Sequence, residues 1–203
     1  MGDTIDATEL GTRMTDAMAK AKTGRGTFSV NDGTSSTTMT ESMQFVFGAT
    51  PQAQGTLTVA GMTVVLLIAG GVAYMKGLPV QMTGGKPWVK IDPKGTDSLS
   101  RSVAQLGTSL ADPRGALAKS LRGRRAKVIA QGGGLTTFDI TSAALAGSTM
   151  VLTIDALDRP VTSTVTLPKA TLQVTYTDWG SPVTITVPPA DQIGTVPAAT
   201  ATS

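Results

Sequence analysis

Neither histidine nor cysteine occurs anywhere in this sequence of 203 residues. Without histidine, the commonest general base and the commonest metal ligand are both missing. Without cysteine there is no disulfide frame, no thiolate zinc site and no thiol nucleophile. Serine–histidine and cysteine–histidine catalysis are thereby excluded. Charged residues make up only 15% and aromatics 4%, so any interior must be assembled from Val, Leu, Ile and Met. A formal charge of +3 is too small to indicate a nucleic-acid partner. It leaves a mild attraction to anionic lipid headgroups.

Long helical apolar runs are also lacking. The charge-free stretch between Glu41 and Lys76 contains a mostly apolar segment at 57–75, nearly long enough to span a bilayer. Gly55, Gly61, Gly70 and Gly71 interrupt it, and Thr56, Thr58 and Thr63 sit among β-branched neighbours. That composition favours two strands over one span.

What is present is mostly alternation. Residues 4–21 carry Leu10, Met14, Ala17, Met18 and Ala21 at helical spacing, with Asp3 or Thr4 as the cap. Strands are expected at 26–30, from Met39 to Phe47, at 57–59 and 62–69, at 72–76 and around Trp88. A second helix is expected where Leu99, Val103, Leu106 and Leu110 form a stripe, and a short third helix starts at Asp112-Pro113. The last third alternates almost without break. Phe138 and Ile140, then Met150, Leu152 and Ile154, Val161 and Val165, Leu172, Val174 and Tyr176, and Val183, Ile185 and Val187 share one face against threonines on the other. Gly132-Gly133-Gly134, Asp155–Asp158 and Pro168-Lys169 supply turns. The fold class is therefore α+β, an antiparallel sheet of about eleven strands in one domain over 1–193, with an Ala/Thr/Pro tail at 194–203 expected to be disordered.

Several pieces then look familiar together. Tyr74-Met75-Lys76-Gly77 precedes Gly85-Lys86-Pro87-Trp88-Val89-Lys90-Ile91-Asp92, and Val174-Thr175-Tyr176-Thr177-Asp178-Trp179-Gly180-Ser181-Pro182-Val183 precedes Pro188-Pro189-Ala190-Asp191-Gln192. In order and spacing this resembles the actinobacterial envelope lipoproteins of the LppX/LprG type, whose fold is LolA-like. The resemblance runs from the first helix to about Ile193. It implies a U-shaped half-barrel sheet with helices across its concave side and an apolar cavity between them. It implies binding of diacyl or triacyl lipids and glycolipids as a carrier or chaperone in the cell envelope. It also implies a signal peptide and a lipid-modified cysteine ahead of the first helix, so the expected location is extracytoplasmic and membrane-anchored. Between Thr141 and Met150 this chain is shorter than such relatives, which implies a shallower cavity or one open at an end.

On this reading the cavity is lined by Met39, Met43, Phe45, Phe47, Met62, Val64, Leu66, Leu99, Val103, Leu106, Phe138, Ile140, Met150, Leu152, Ile154, Leu172 and Val174. Methionine suits such a wall because it adapts to irregular ligands. The same pattern also describes a closed core around which an envelope protein or transporter would dock as partner, and periodicity alone leaves the two open. Arg122, Arg124 and Arg125, within a basic run from Arg114 to Lys127, are candidates for a headgroup or membrane-surface contact or for a solvated face. Trp88 and Trp179 are expected to pack structurally. Glu41 breaks an apolar face, at a strand end or a cavity mouth. The acids Glu41, Asp92, Asp139, Asp155, Asp158 and Asp178 form no spaced pair, and no Gly-rich loop opens a helix. The expectation is a monomeric lipid-binding protein with no cofactor, no metal and no enzymatic activity.

Overall fold

A computed structural model describes residues 2–31, 39–59, 62–92, 112–141 and 148–194. The expected helix carrying Leu99, Val103, Leu106 and Leu110, the shortened 142–147 segment and the tail beyond Gly194 lie outside these residues.

The described elements run β1 (Thr4–Asp6), α1 (Ala7–Ala21), β2 (Thr23–Asn31), β3 (Met39–Val46), β4 (Gln52–Val59), β5 (Met62–Ala69), β6 (Val72–Lys76), α2 (Val80–Thr83) and β7 (Trp88–Ile91). They continue with α3 (Pro113–Leu121), β8 (Arg125–Gly132), β9 (Leu135–Thr141), β10 (Thr149–Asp155), β11 (Pro160–Leu167), β12 (Ala170–Thr177), a 3₁₀ turn (Ala190–Gln192) and β13 (Ile193–Gly194). The apolar segment at 57–75 falls in the end of β4, all of β5 and most of β6, and among the described residues no helix is long and apolar enough to cross a membrane.

Local chemistry sets the boundaries. Asp6 caps α1, its carboxylate accepting from Thr8 N at 2.7 Å. The helix therefore starts at Ala7 rather than residue 4, because Thr4–Asp6 pairs with β8 as an edge strand, Ile5 opposite Ala126. Asp112 caps α3 by accepting from Gly115 N at 3.0 Å, with Pro113 following. Gly70-Gly71 and Gly133-Gly134 turn with φ of 60°, 74°, 59° and 77°, conformations a Cβ disfavours. At the β10–β11 turn the Asp155 carboxylate accepts from Leu157 N and Arg159 N, each at 2.9 Å.

Among the described residues one open sheet of thirteen strands results, ordered β1-β8-β9-β10-β11-β12-β2-β3-β4-β5-β6-β7-β13. Every pairing is antiparallel except β13 with β7. The count exceeds eleven because β1 and β13, three and two residues long, are too short for periodicity to show, and because β8 was not among the expected strands, its start lying in the basic run. Val183–Val187 is a correction in the other direction. It keeps its alternation, Val183 and Ile185 half-buried and Thr184 and Thr186 exposed, but forms no strand. Both edges of β12 are already paired, to β11 and β2, so the chain leaving it has no ladder to join and crosses extended toward β7.

The sheet is strongly bent. Phe45 and Phe47, at the end of β3, belong to the same packed cluster as Phe138 and Ile140 on β9. Five strand steps separate β3 from β9, about 24 Å on a flat sheet at about 4.8 Å per step. Curvature closes that gap around α1, whose buried face is Ala7, Leu10, Gly11, Met14, Ala17 and Met18. With Leu117 and Leu121 of α3, this helix packs on Ala126, Phe138, Ile140, Met150, Leu152 and Ile154. A second, separate cluster joins Leu66, Ile68, Ala73, Val89 and Ile91 on β5–β7. A buried side chain of this size contributes about 1.5–3 kcal/mol, so the two clusters anchor the two arms of the sheet.

Candidate apolar trough

Strand register shows where the packed core stops. One row across the concave face passes through Phe138, Leu152, Ser163, Val174, Phe28, the Glu41 and Leu57 positions, and Val64. Phe138, Leu152 and Ser163 are buried, at 3%, 0% and 8% exposure. Val174, Phe28 and Val64, further along the row, are only half-buried. The neighbouring row runs Ile140, Met150, Val165, Leu172, Val30 and the Met39 position. There too burial falls after Met150, and Val165, Leu172 and Val30 are half-buried. Phe28, Val30, Val64, Leu172 and Val174 belong to neither core cluster. They make an apolar strip on the concave face outside both clusters, the candidate trough.

An aromatic ladder lies at one end of this strip. Phe45 stacks on Phe47 at 5.9 Å, Phe47 on Trp179 at 6.1 Å, and Trp179 on Tyr176 at 5.6 Å. Gly24 makes this stacking feasible, since a Cβ there would stand 2.8 Å from the Trp179 ring. Trp179 Nε1 donates to the Pro160 carbonyl at 2.9 Å, and the Arg114 guanidinium lies 5.6 Å above Phe47. Trp179 thus packs structurally, as expected of it. Burial pushes the Tyr176 phenol up to about 12, so it stays a neutral hydroxyl at the end of an apolar surface.

The candidate residues separate into three groups. Phe45, Phe47, Phe138, Ile140, Met150, Leu152 and Ile154 lie inside the first cluster and Leu66 inside the second. Met43 is half-buried against the first cluster, while Val64, Leu172 and Val174 are trough residues. The side chains of Met39 and Met62, and Leu99, Val103 and Leu106 altogether, fall outside the described residues. The register answers the question about Glu41 only for its backbone, which stands in the concave row opposite Phe28 and Leu57. Phe28 and Val30 complete the trough but were absent from the sequence-based set, although both alternate with Ser29 in a recognised strand. Arg122 and Arg125 are exposed and Arg124 half-buried, its carbonyl accepting from Ala7 N at 3.0 Å. Among the described residues no group of acidic side chains could hold a metal ion.

No family model and no curated protein matches the sequence. Solved structures do match the fold. LprF from Mycobacterium bovis superposes with a TM-score of 0.57 at 17% identity, covering 90% of this chain and 96% of that one. The Mycobacterium tuberculosis lipoprotein LppX superposes with a TM-score of 0.50 at 14% identity, covering 89% and 98%. The chain has the fold of these mycobacterial proteins, which is the curved α+β sheet that the resemblance implied.

Proposed function

We propose that this protein binds the acyl chains of a lipid or glycolipid in the trough, as a carrier or chaperone in the cell envelope. The observation that carries the reading is the run of half-buried apolar residues Phe28, Val30, Val64, Leu172 and Val174 outside the two filled clusters. Hydrocarbon laid there gains about 0.8 kcal/mol per methylene removed from water. A bilayer offers the same chain a similar gain. Transfer in either direction is then near balance, as a carrier requires. A trough built from Val, Leu and Phe has few directional contacts and grips the ligand by area.

Likeness in fold to LprF and LppX supports this reading. On the same reading the protein works outside the cytoplasm, held at the membrane by a lipidated cysteine ahead of residue 1, and Arg122, Arg124 and Arg125 face anionic headgroups. The Met39, Met62, Leu99, Val103 and Leu106 side chains complete the wall. The test is lipid extraction and mass spectrometry on protein purified from a lipid-containing source, paired with titration of a fluorescent fatty-acid probe. Co-purified acyl species and a saturable rise in probe emission are expected. No acyl species and no rise would leave an envelope protein with a filled interior and a protein partner.

A further inference from the structure

The register places one end of the sheet under a different chemistry from the other. At this end Val30 pairs with Leu172, Val65 with Lys76, and Lys76 with Trp88, and the β11–β12 turn follows Leu167. The trough residues Val30, Val64 and Leu172 therefore lie toward the same rim as the loop that joins β6 to β7. That loop carries α2, whose Val80 and Met82 are 68% and 36% exposed. Leu167, on the β11–β12 hairpin five strand steps further along the same rim, is 38% exposed.

These side chains are held outward by a compact turn. Thr83 is buried and its hydroxyl donates to the Val80 carbonyl at 3.3 Å. Met82 N donates to Pro79 O at 2.8 Å and Lys86 N to Thr83 O at 3.2 Å. Gly194 presses so closely on this turn that a Cβ there would stand 1.9 Å from the Thr83 carbonyl. Beneath Val80 lies a largely apolar groove of about 540 Å³, with Val65, Leu78 and Pro87 in its wall. Its lining includes Lys76 and Lys86 and no carboxylate. Lys76 lies 5.9 Å over the Trp88 ring, and Lys169 is exposed on the hairpin beside Leu167. Large apolar side chains fixed in water beside lysines fit one kind of partner: a surface apolar below and anionic above.

We propose that this rim, centred on Val80 and Met82 with Lys76 and Lys86 beside them and Lys169 further along it, docks on an anionic lipid bilayer. Docking there brings this end of the trough toward the bilayer and shortens the path of a chain through water. The apolar pair enters the interface, and the lysines remain at headgroup level with their stems along it.

The test is flotation with vesicles of equal parts phosphatidylglycerol and phosphatidylcholine, compared with phosphatidylcholine alone. Wild type is expected to float with the anionic vesicles and to be released as salt rises. Val80→Asp with Met82→Asp should weaken this binding about tenfold or more, with the thermal transition unchanged because both positions are exposed. Lys86→Glu with Lys169→Glu should weaken it on anionic vesicles specifically. Leu157→Asp, at a site 64% exposed in the β10–β11 turn at the other end, should float like wild type. Wild type that fails to float overturns the proposal, as does a Leu157→Asp loss equal to that of the double variant. Capture of an acidic polypeptide such as polyglutamate in place of vesicles also overturns it. Flotation requires no ligand in the trough, so its failure leaves acyl binding standing.

Discussion

Two inward-facing leucines offer the sharpest contrast in the molecule. Leu152 and Leu172 both stand on the concave face of the same sheet, two strands apart, but Leu152 is 0% exposed inside the first cluster while Leu172 is half-buried outside it. Truncating Leu152 to Ala removes about 2.4 kcal/mol of transfer free energy at about 0.8 per carbon. The void left in a close-packed cluster raises the loss to about 3–4 kcal/mol. At Leu172 about half of the transfer free energy is at stake and no closed void forms, so the loss is about 1 kcal/mol. With a urea m-value of about 2 kcal/mol/M, Leu152→Ala lowers the unfolding midpoint by about 1.5–2 M and Leu172→Ala by about 0.5 M. Affinity for an acyl probe should follow the opposite order, reduced by Leu172→Ala and kept by Leu152→Ala under folding conditions. Urea unfolding by circular dichroism and a probe titration measure both. A loss of about 3 kcal/mol or more at Leu172, without a change in probe affinity, would falsify the division into core and trough.

Gly24→Ala places a methyl group 2.8 Å from the Trp179 ring. It should destabilise by about 1–3 kcal/mol and alter the near-ultraviolet dichroism of the stacked aromatics, whereas a wild-type spectrum would dissolve the ladder. Asp155 supplies a pH prediction. Burial raises its carboxyl, but hydrogen bonds from the Arg159 side chain and from the Arg159 and Leu157 amides outweigh this and hold it below 3.8. Its contribution is then fully present above pH 3.8 and is lost as pH falls through the depressed folded value. Asp155→Asn should lower the melting temperature at neutral pH and flatten its acid dependence below about pH 4. A variant curve parallel to wild type in that range would contradict this.

Local chemistry made much of the architecture readable. Asp-Pro at 112–113, the paired glycines at 70–71 and 133–134, and the alternation of Phe138 through Tyr176 each specify a cap, a turn or a strand on their own. The trough was less readable, because its distinguishing property is relational. Leu152 and Leu172 have the same side chain, the same strand context and the same facing direction. Only the registry that brings Leu152 under α1, and leaves Leu172 beyond it, separates core from trough. Phe28 and Val30 were missed because a two-residue alternation beside Gly24 and Gly26 carries little apolar weight. Gly24 itself matters through Trp179, which meets it from 155 residues away. Val183–Val187 misled for the converse reason: a periodic segment becomes a strand only where an unpaired edge is available.

The most direct measurement places an acyl chain at a known residue. In a Trp88→Phe variant, Trp179 is the sole remaining tryptophan and stands within the ladder at one end of the trough. Titration with a fatty acid brominated along its chain should quench Trp179 emission saturably, at one chain or lipid per protein, and Val174→Asp should abolish the effect. Emission that stays constant while unbrominated and brominated acids alike fail to compete for the site would contradict the account.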